Sequence, residues 1–141
     1  MQIGVETSRA VENKRVFVVD DDEIARAALQ FMLHDENETH ELADVDAALR
    51  KSALGAPDVI LLSTNLLRLH GVAVLDTFKK HFPGVKLLLV AQSQNDPVAA
   101  DGLQHGADAV LTKPLTVEAT RKKVDRLLGR TARTVIPIHA A

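Results

Sequence analysis

Pro57-Asp58-Val59-Ile60-Leu61-Leu62-Ser63 is the stretch whose reading decides the fold. Four consecutive apolar residues follow a Pro-Asp turn signal, and a polar residue stops them. A strand covered on both faces is apolar throughout, whereas a half-exposed strand alternates, so this run reads as the centre of a parallel sheet. Upstream, Val16-Phe17-Val18-Val19 has the same character and ends at Asp20-Asp21-Asp22. Downstream, Lys86 to Val90 and Ala109-Val110-Leu111 give a fourth and a fifth strand, and a weaker second strand is expected near Thr39 to Ala43.

Helix-period segments separate these runs. From Asp22 to His34 the residues Ile24, Ala28, Phe31 and Met32 recur at helical spacing and predict the face that docks on the sheet. Asp22 and Glu23 suit the positive end of that helix. A second helix is expected from Val45 to Leu54, stopped by Gly55. Ser63 to His70 reads as a loop, after which Gly71 opens a helix carrying Val74, Leu75, Phe78 and Phe82. Pro97 fits the first turn of the next helix, which runs to about His105 with Gly106 as its stop. Thr116 caps a last helix whose apolar face is Val117, Val124, Leu127 and Leu128. Strands alternating with helices predict an α/β fold, a doubly wound five-stranded parallel sheet with helices on both faces.

The totals agree. With 141 residues, 46% hydrophobic and 26% charged, the chain has room for one globular domain. A net charge of −2 argues against a dedicated nucleic-acid binder, and zero cysteines exclude disulfides and thiolate chemistry. No apolar run reaches the length of a membrane span, and Met1 to Lys14 holds no secretory core, so the expected compartment is the cytoplasm.

Doubly wound sheets place their sites outside the carboxyl ends of the strands. Those loops hold Asp20-Asp21, Ser63 to Asn65, Ala91 to Ser93 and Thr112-Lys113. In these loops, and in the order Val18-Val19-Asp20-Asp21-Asp22, Pro57 to Leu62, Gly106-Ala107-Asp108 and Thr112-Lys113-Pro114, the sequence resembles the receiver domains of bacterial response regulators, a flavodoxin-like family. The resemblance covers roughly Lys14 to Leu128. It divides the chain into an extension at residues 1–13, a receiver at 14–129 and a tail at 130–141.

What the resemblance implies is specific. Asp20 and Asp21 match the carboxylates that hold Mg²⁺ through oxygen ligands. Lys113 matches the lysine that pairs with the acceptor, and Pro114 matches a proline that is commonly cis in the family. The departures fall at the positions that carry the chemistry. Ser63 stands where the acceptor aspartate belongs, Ala91 where a hydroxyl residue senses the phosphoryl group, and Val110 where a rotating aromatic is frequent. Leu67 replaces a frequent proline. A neutral serine hydroxyl does not attack phosphorus without a general base, and no histidine falls in the four loops. The expectation is therefore a degenerate pseudo-receiver whose Mg²⁺ site is weak or absent, with Lys113 as counter-ion to Asp20 and Asp21.

Other features are weighed the same way. Ser63 reads as a neutral filler in preference to a serine-kinase target. Asp58 begins strand three at the wrong edge to substitute as acceptor. The six histidines show no metal-ligand spacing, and Gly102 and Gly106 form no phosphate-binding fingerprint. Six of the 17 basic residues lie between Arg121 and Arg133, which reads first as a solvated helix face and otherwise as a docking stripe for an acidic partner or nucleic acid. Tail residues Val135 to Ile138 are read as a linker, a docking strand or disorder.

The function expected from this is a stand-alone regulator in bacterial two-component signalling that is not an enzyme and acts by protein contact without phosphorylation. Its expected partners are a histidine kinase, a phosphotransfer protein or another regulator, with a homodimer through the last two helices and fifth strand, and no nucleic acid or membrane. The alternatives are a conventional phosphorelay receiver carrying an acceptor substitution and a small-molecule-sensing pseudo-receiver.

Overall fold

The computed structural model describes residues 14–51 and 55–130. Five strands, β1 (Lys14–Val19), β2 (Asn37–Leu42), β3 (Val59–Ser63), β4 (Lys86–Ala91) and β5 (Ala109–Thr112), form one parallel sheet in the order β2-β1-β3-β4-β5. The stretch that decided the fold is thus the central strand, and every residue of it is buried. Among the described residues there are six helices: α1 (Glu23–Leu33), α2 (Val45–Lys51), α3 (Thr64–His70), α4 (Ala73–His81) and α5 (Pro97–Gln104) lie between strands, and α6 (Val117–Leu128) follows β5. The extension at 1–13, the expected end of α2 at Leu54 and the tail from 131 lie outside the described residues.

Alternate side chains of each strand point to opposite faces, and the core splits accordingly. Phe17, Val19, Ile60, Leu62, Leu87 and Leu89 meet α2, α3 and α4 on one face. Val16, Val18, Val59, Leu61, Leu88 and Val90 meet α1 and α6 on the other. Both faces are covered, which is why the strands are continuously apolar. The register aligns Val19 with Leu62, Ser63 with Val90, and Ala91 with Thr112, so the strand tips converge on one edge.

Four local readings are corrected. The buried face of α1 is Ala25, Leu29 and Leu33, with Met32 partly covered, while Ile24 is 82% and Phe31 69% exposed. Apolar residues run almost all round this helix, so spacing alone does not choose the face; an uninterrupted i, i+4, i+8 row against the sheet does. The segment after Ser63 is a helix, not a loop. α3 is two turns long, too short for its period to be counted, and it is held by the burial of Thr64, Leu66 and Leu67. Gly71 does not open α4 but turns the chain between α3 and α4 at φ +87°, and α4 starts at Ala73. On α6 the buried residues are Thr120 and Val124, and Val117 is exposed.

Gly102 is a packing residue. α5 lies so close to β4 that a Cβ at this position would stand 2.5 Å from Leu89 Cδ1 and 3.0 Å from Leu67 Cδ2. Among the described residues no helix is long and apolar enough to cross a membrane.

Candidate functional site at the strand tips

Asp20 continues β1 by one residue, donating its N–H to the Leu42 carbonyl at 3.0 Å. That places its side chain inside, where the residue is 2% exposed. Oδ1 accepts the Asp22 N–H at 2.9 Å, while Oδ2 is buried without a hydrogen-bond partner among the described residues. Burial pushes the Asp20 carboxyl above its ordinary range, against the opposing pull of the Asp22 N–H and the Lys113 charge. Asp21 is exposed. Asp22 caps α1, accepting from the N–H groups of Ile24 and Ala25 at 3.0 and 3.3 Å.

Lys113 follows β5 and its side chain is 23% exposed. Its Nζ lies 4.0 Å from Asp22 Oδ2 and donates to Gln92 Oε1 at 3.3 Å. The expected counter-ion role is toward Asp20 and Asp21; the ion pair the structure gives Lys113 is with Asp22, and its charge also favours the ionised form of Asp20. The peptide bond from Lys113 to Pro114 is cis.

Ser63 ends β3 and is 1% exposed. Its Oγ accepts the Leu66 N–H at 3.2 Å, so the hydroxyl oxygen serves as the N-cap of α3. Ala91 ends β4 fully buried, and its carbonyl accepts the Lys113 N–H at 3.1 Å. Val110 is partly buried against the face that carries Leu89. Asp58 sits at the opposite edge of the sheet, where its carboxylate accepts the Arg15 N–H at 2.8 Å.

Sequence reading missed a second set of polar residues at this edge. Thr64, fully buried, donates Oγ1–H to Asp96 Oδ2 at 2.7 Å. The same oxygen accepts the Gln92 N–H at 3.2 Å, and Oδ1 accepts the Val98 N–H at 3.0 Å to cap α5. Asp96 directly before Pro97 is a cap signal that could have been read from sequence; its pairing with Thr64, 32 positions away, could not.

A hard cation asks for several converging oxygens. Asp20 Oδ2 is one buried free donor, but Asp21 faces solvent and the third carboxylate is a serine whose oxygen is engaged at a helix end. Among the described residues no group of three or more His, Cys, Asp or Glu side chains is placed to hold a metal ion. The described residues therefore do not make a full Mg²⁺ site.

The buried charge has a consequence for stability. Because the folded-state pKa of Asp20 is raised, its ionised form is penalised in the native state above the unfolded pKa, and the penalty fades as pH falls through the folded value. Asp20→Asn is expected to raise stability at pH 7 in EDTA, with a gain that shrinks on acidification; thermal melts across pH check it. Equal melting of both proteins at pH 7 would remove this account of Asp20.

The basic stripe of α6 divides in two. Arg121 donates to the Met32 carbonyl at 2.8 Å and Arg130 pairs with Asp125 at 3.3 Å, so both serve the fold. Lys122 and Arg126 are exposed and Lys123 is partly so.

Comparison with known proteins follows the same lines. The family model described as response regulator receiver domain matches residues 16–125. The chain is 29% identical over 119 residues to the alkaline phosphatase synthesis transcriptional regulatory protein PhoP of Bacillus subtilis, covering 84% of this chain and 50% of that protein. It is 35% identical over 126 residues to the transcriptional regulatory protein PrrA of Mycobacterium tuberculosis, covering 88% of this chain and 54% of PrrA. The chain spans about half the length of the curated relatives it matches. Among solved structures, the receiver domain of NtrX from Brucella abortus superposes with a TM-score of 0.73 at 29% identity, covering 82% of this chain and 99% of that one.

Proposed function

Because this chain belongs to the response regulator receiver family of two-component signalling, matching it over residues 16–125, we propose that it is a pseudo-receiver which signals by protein contact without taking up a phosphoryl group. The observation that carries this reading is Ser63. At the β3 tip, where the family's acceptor carboxylate belongs, stands a neutral hydroxyl that is buried and already engaged as a helix cap. Among the described residues the hydrogen bond its Oγ makes is to the Leu66 N–H, a donor and not a base that could take up the hydroxyl proton. Ala91 offers no hydroxyl to follow a phosphoryl group, and Val110 is no aromatic rotor.

In this reading residues 14–129 form the receiver unit, flanked by 1–13 and 130–141. A protein partner, whether a kinase, a phosphotransfer protein or another regulator, docks on the face built from α5, β5 and α6, where Lys122, Lys123 and Arg126 supply positive charge; a second copy of the chain is the other candidate for that face. Asp20, Asp21 and Lys113 are a residual charge cluster, with Mg²⁺ held weakly or not at all.

Amide hydrogen exchange of the full chain with and without acetyl phosphate and Mg²⁺ tests the reading. The exchange pattern is expected to be the same in both conditions. Protection that changes around Ala91 to Asp96 and on β5 only when phosphodonor is present would overturn it.

A further inference from the structure

We propose that Thr64 and Asp96 form a permanent latch that pins the loop after β4 to the tip of β3, taking the place of a contact that a strand-four hydroxyl would make only to a phosphoryl group. The role assigned to the latch rests on the phosphorylation-independent reading above; the latch itself rests on geometry alone.

The Asp96 carboxylate gathers three elements. One oxygen accepts from Thr64 Oγ1, at the junction of β3 and α3, and from the Gln92 N–H, where the chain leaves β4. The other accepts the Val98 N–H and fixes the start of α5, which Pro97 at the first helical position already favours. Thr64 is fully buried, so its hydroxyl has no water to exchange for Asp96, and a 2.7 Å bond from a hydroxyl to a carboxylate is of the strong, charge-assisted kind. Burial would raise the Asp96 carboxyl, but the hydrogen bonds it accepts from Thr64, Gln92 and Val98 outweigh that and hold it below the ordinary range, so it is ionised at neutral pH.

The next residues extend the tie. Gln92, whose N–H the latch holds, accepts from Lys113 Nζ at 3.3 Å through its side chain, and Lys113 reaches Asp22 at the start of α1. A continuous polar chain therefore runs from the α1 cap through the β5 tip and the β4 loop to the β3 tip. Neither of the residues that would otherwise connect β3 to β4 takes part: Ser63 is engaged with Leu66, and Ala91 carries no hydroxyl. The latch makes Thr64 a positioning residue. It fixes the β4 loop and the start of α5 in one arrangement, and with them the face offered to a partner.

The test is residue-resolved amide hydrogen exchange of the full chain without phosphodonor, comparing Thr64→Val, which keeps the shape and removes the donor, with Thr64→Ser, which keeps the donor. Thr64→Val is expected to speed exchange at residues 92–98 about tenfold, with the amides of β1 and β3 unchanged, and Thr64→Ser to stay near the wild type. Wild-type protection at 92–98 in Thr64→Val, or a Thr64→Ser protein as fast as Thr64→Val, would overturn the latch. Should Thr64→Val not fold, Asp96→Asn against wild type over the same amides decides, with unchanged protection again overturning the proposal. A phosphoryl adduct on the wild type would refute the functional reading and leave this comparison standing; unchanged exchange here would refute the latch and leave the functional reading standing.

Discussion

Leu29→Ala is expected to cost the fold about 2–5 kcal/mol, while Phe31→Ala, two residues along the same helix, is expected to change stability by less than about 0.5 kcal/mol. Leu29 is completely buried among Val16, Val18, Leu61, Val90 and Val124, at the middle of the face where α1 and α6 meet the sheet. Truncation there removes apolar contact on every side and leaves a cavity that the sheet, pinned by parallel pairing on both sides, has little freedom to fill. Phe31 is a larger side chain and the more obvious anchor from sequence. It is 69% exposed, and the ring contact the structure gives it is an edge-on approach to His34 at 5.9 Å. Denaturant melts of the two variants separate the faces of α1 directly: comparable losses in both would mean that the helix is rotated from the position described.

Ser63→Asp is expected to produce the largest functional change of any single substitution. It restores a third carboxylate beside Asp20 and Asp21 and places a competent nucleophile at the β3 tip. Aspartate is itself a good N-cap, so the start of α3, now held by Ser63 Oγ on Leu66 N–H, is retained. With Mg²⁺ to neutralise the cluster, the carboxylate oxygen would attack the phosphorus of acetyl phosphate, acetate would leave, and intact-mass measurement would show one added phosphoryl group, removable by hydroxylamine. The same substitution is expected to lower the melting temperature in EDTA, because it adds a negative charge next to a buried carboxylate whose Oδ2 has no partner among the described residues, and to regain it as Mg²⁺ is added. A variant that stays unmodified and indifferent to Mg²⁺ would mean that the pocket has lost more than its acceptor.

The architecture was legible wherever the physics is local and strong. Continuous apolar runs at Val16 to Val19 and Val59 to Leu62 marked strands covered on both faces, and both are central in the sheet. Thr116 caps α6 as its hydroxyl suggested, accepting the Ala119 N–H at 3.1 Å. What sequence could not supply was the choice among locally equivalent options. Ile24, Ala28, Phe31 and Met32 satisfy helical spacing as well as Ala25, Leu29 and Leu33 do, and tertiary contact decides between them. α3 escaped notice because two turns held by burial leave almost no periodic trace.

The site shows the same division. That Asp20, Ser63, Ala91 and Lys113 would meet at one edge followed from strand order. Which oxygen each group would reach did not: Lys113 settles on Asp22 and Gln92, Ser63 on a backbone N–H, and Asp96 on Thr64. Part of the basic stripe also proved structural, since Arg121 ties α6 to the end of α1.

The most direct test of the central claim is the intact mass of the wild-type chain after incubation with acetyl phosphate and Mg²⁺, run beside a conventional receiver as positive control. The expected result is an unmodified chain while the control takes up a phosphoryl group. A stoichiometric, Mg²⁺-dependent phosphoryl adduct on the wild-type protein would contradict the account, whichever residue carried it.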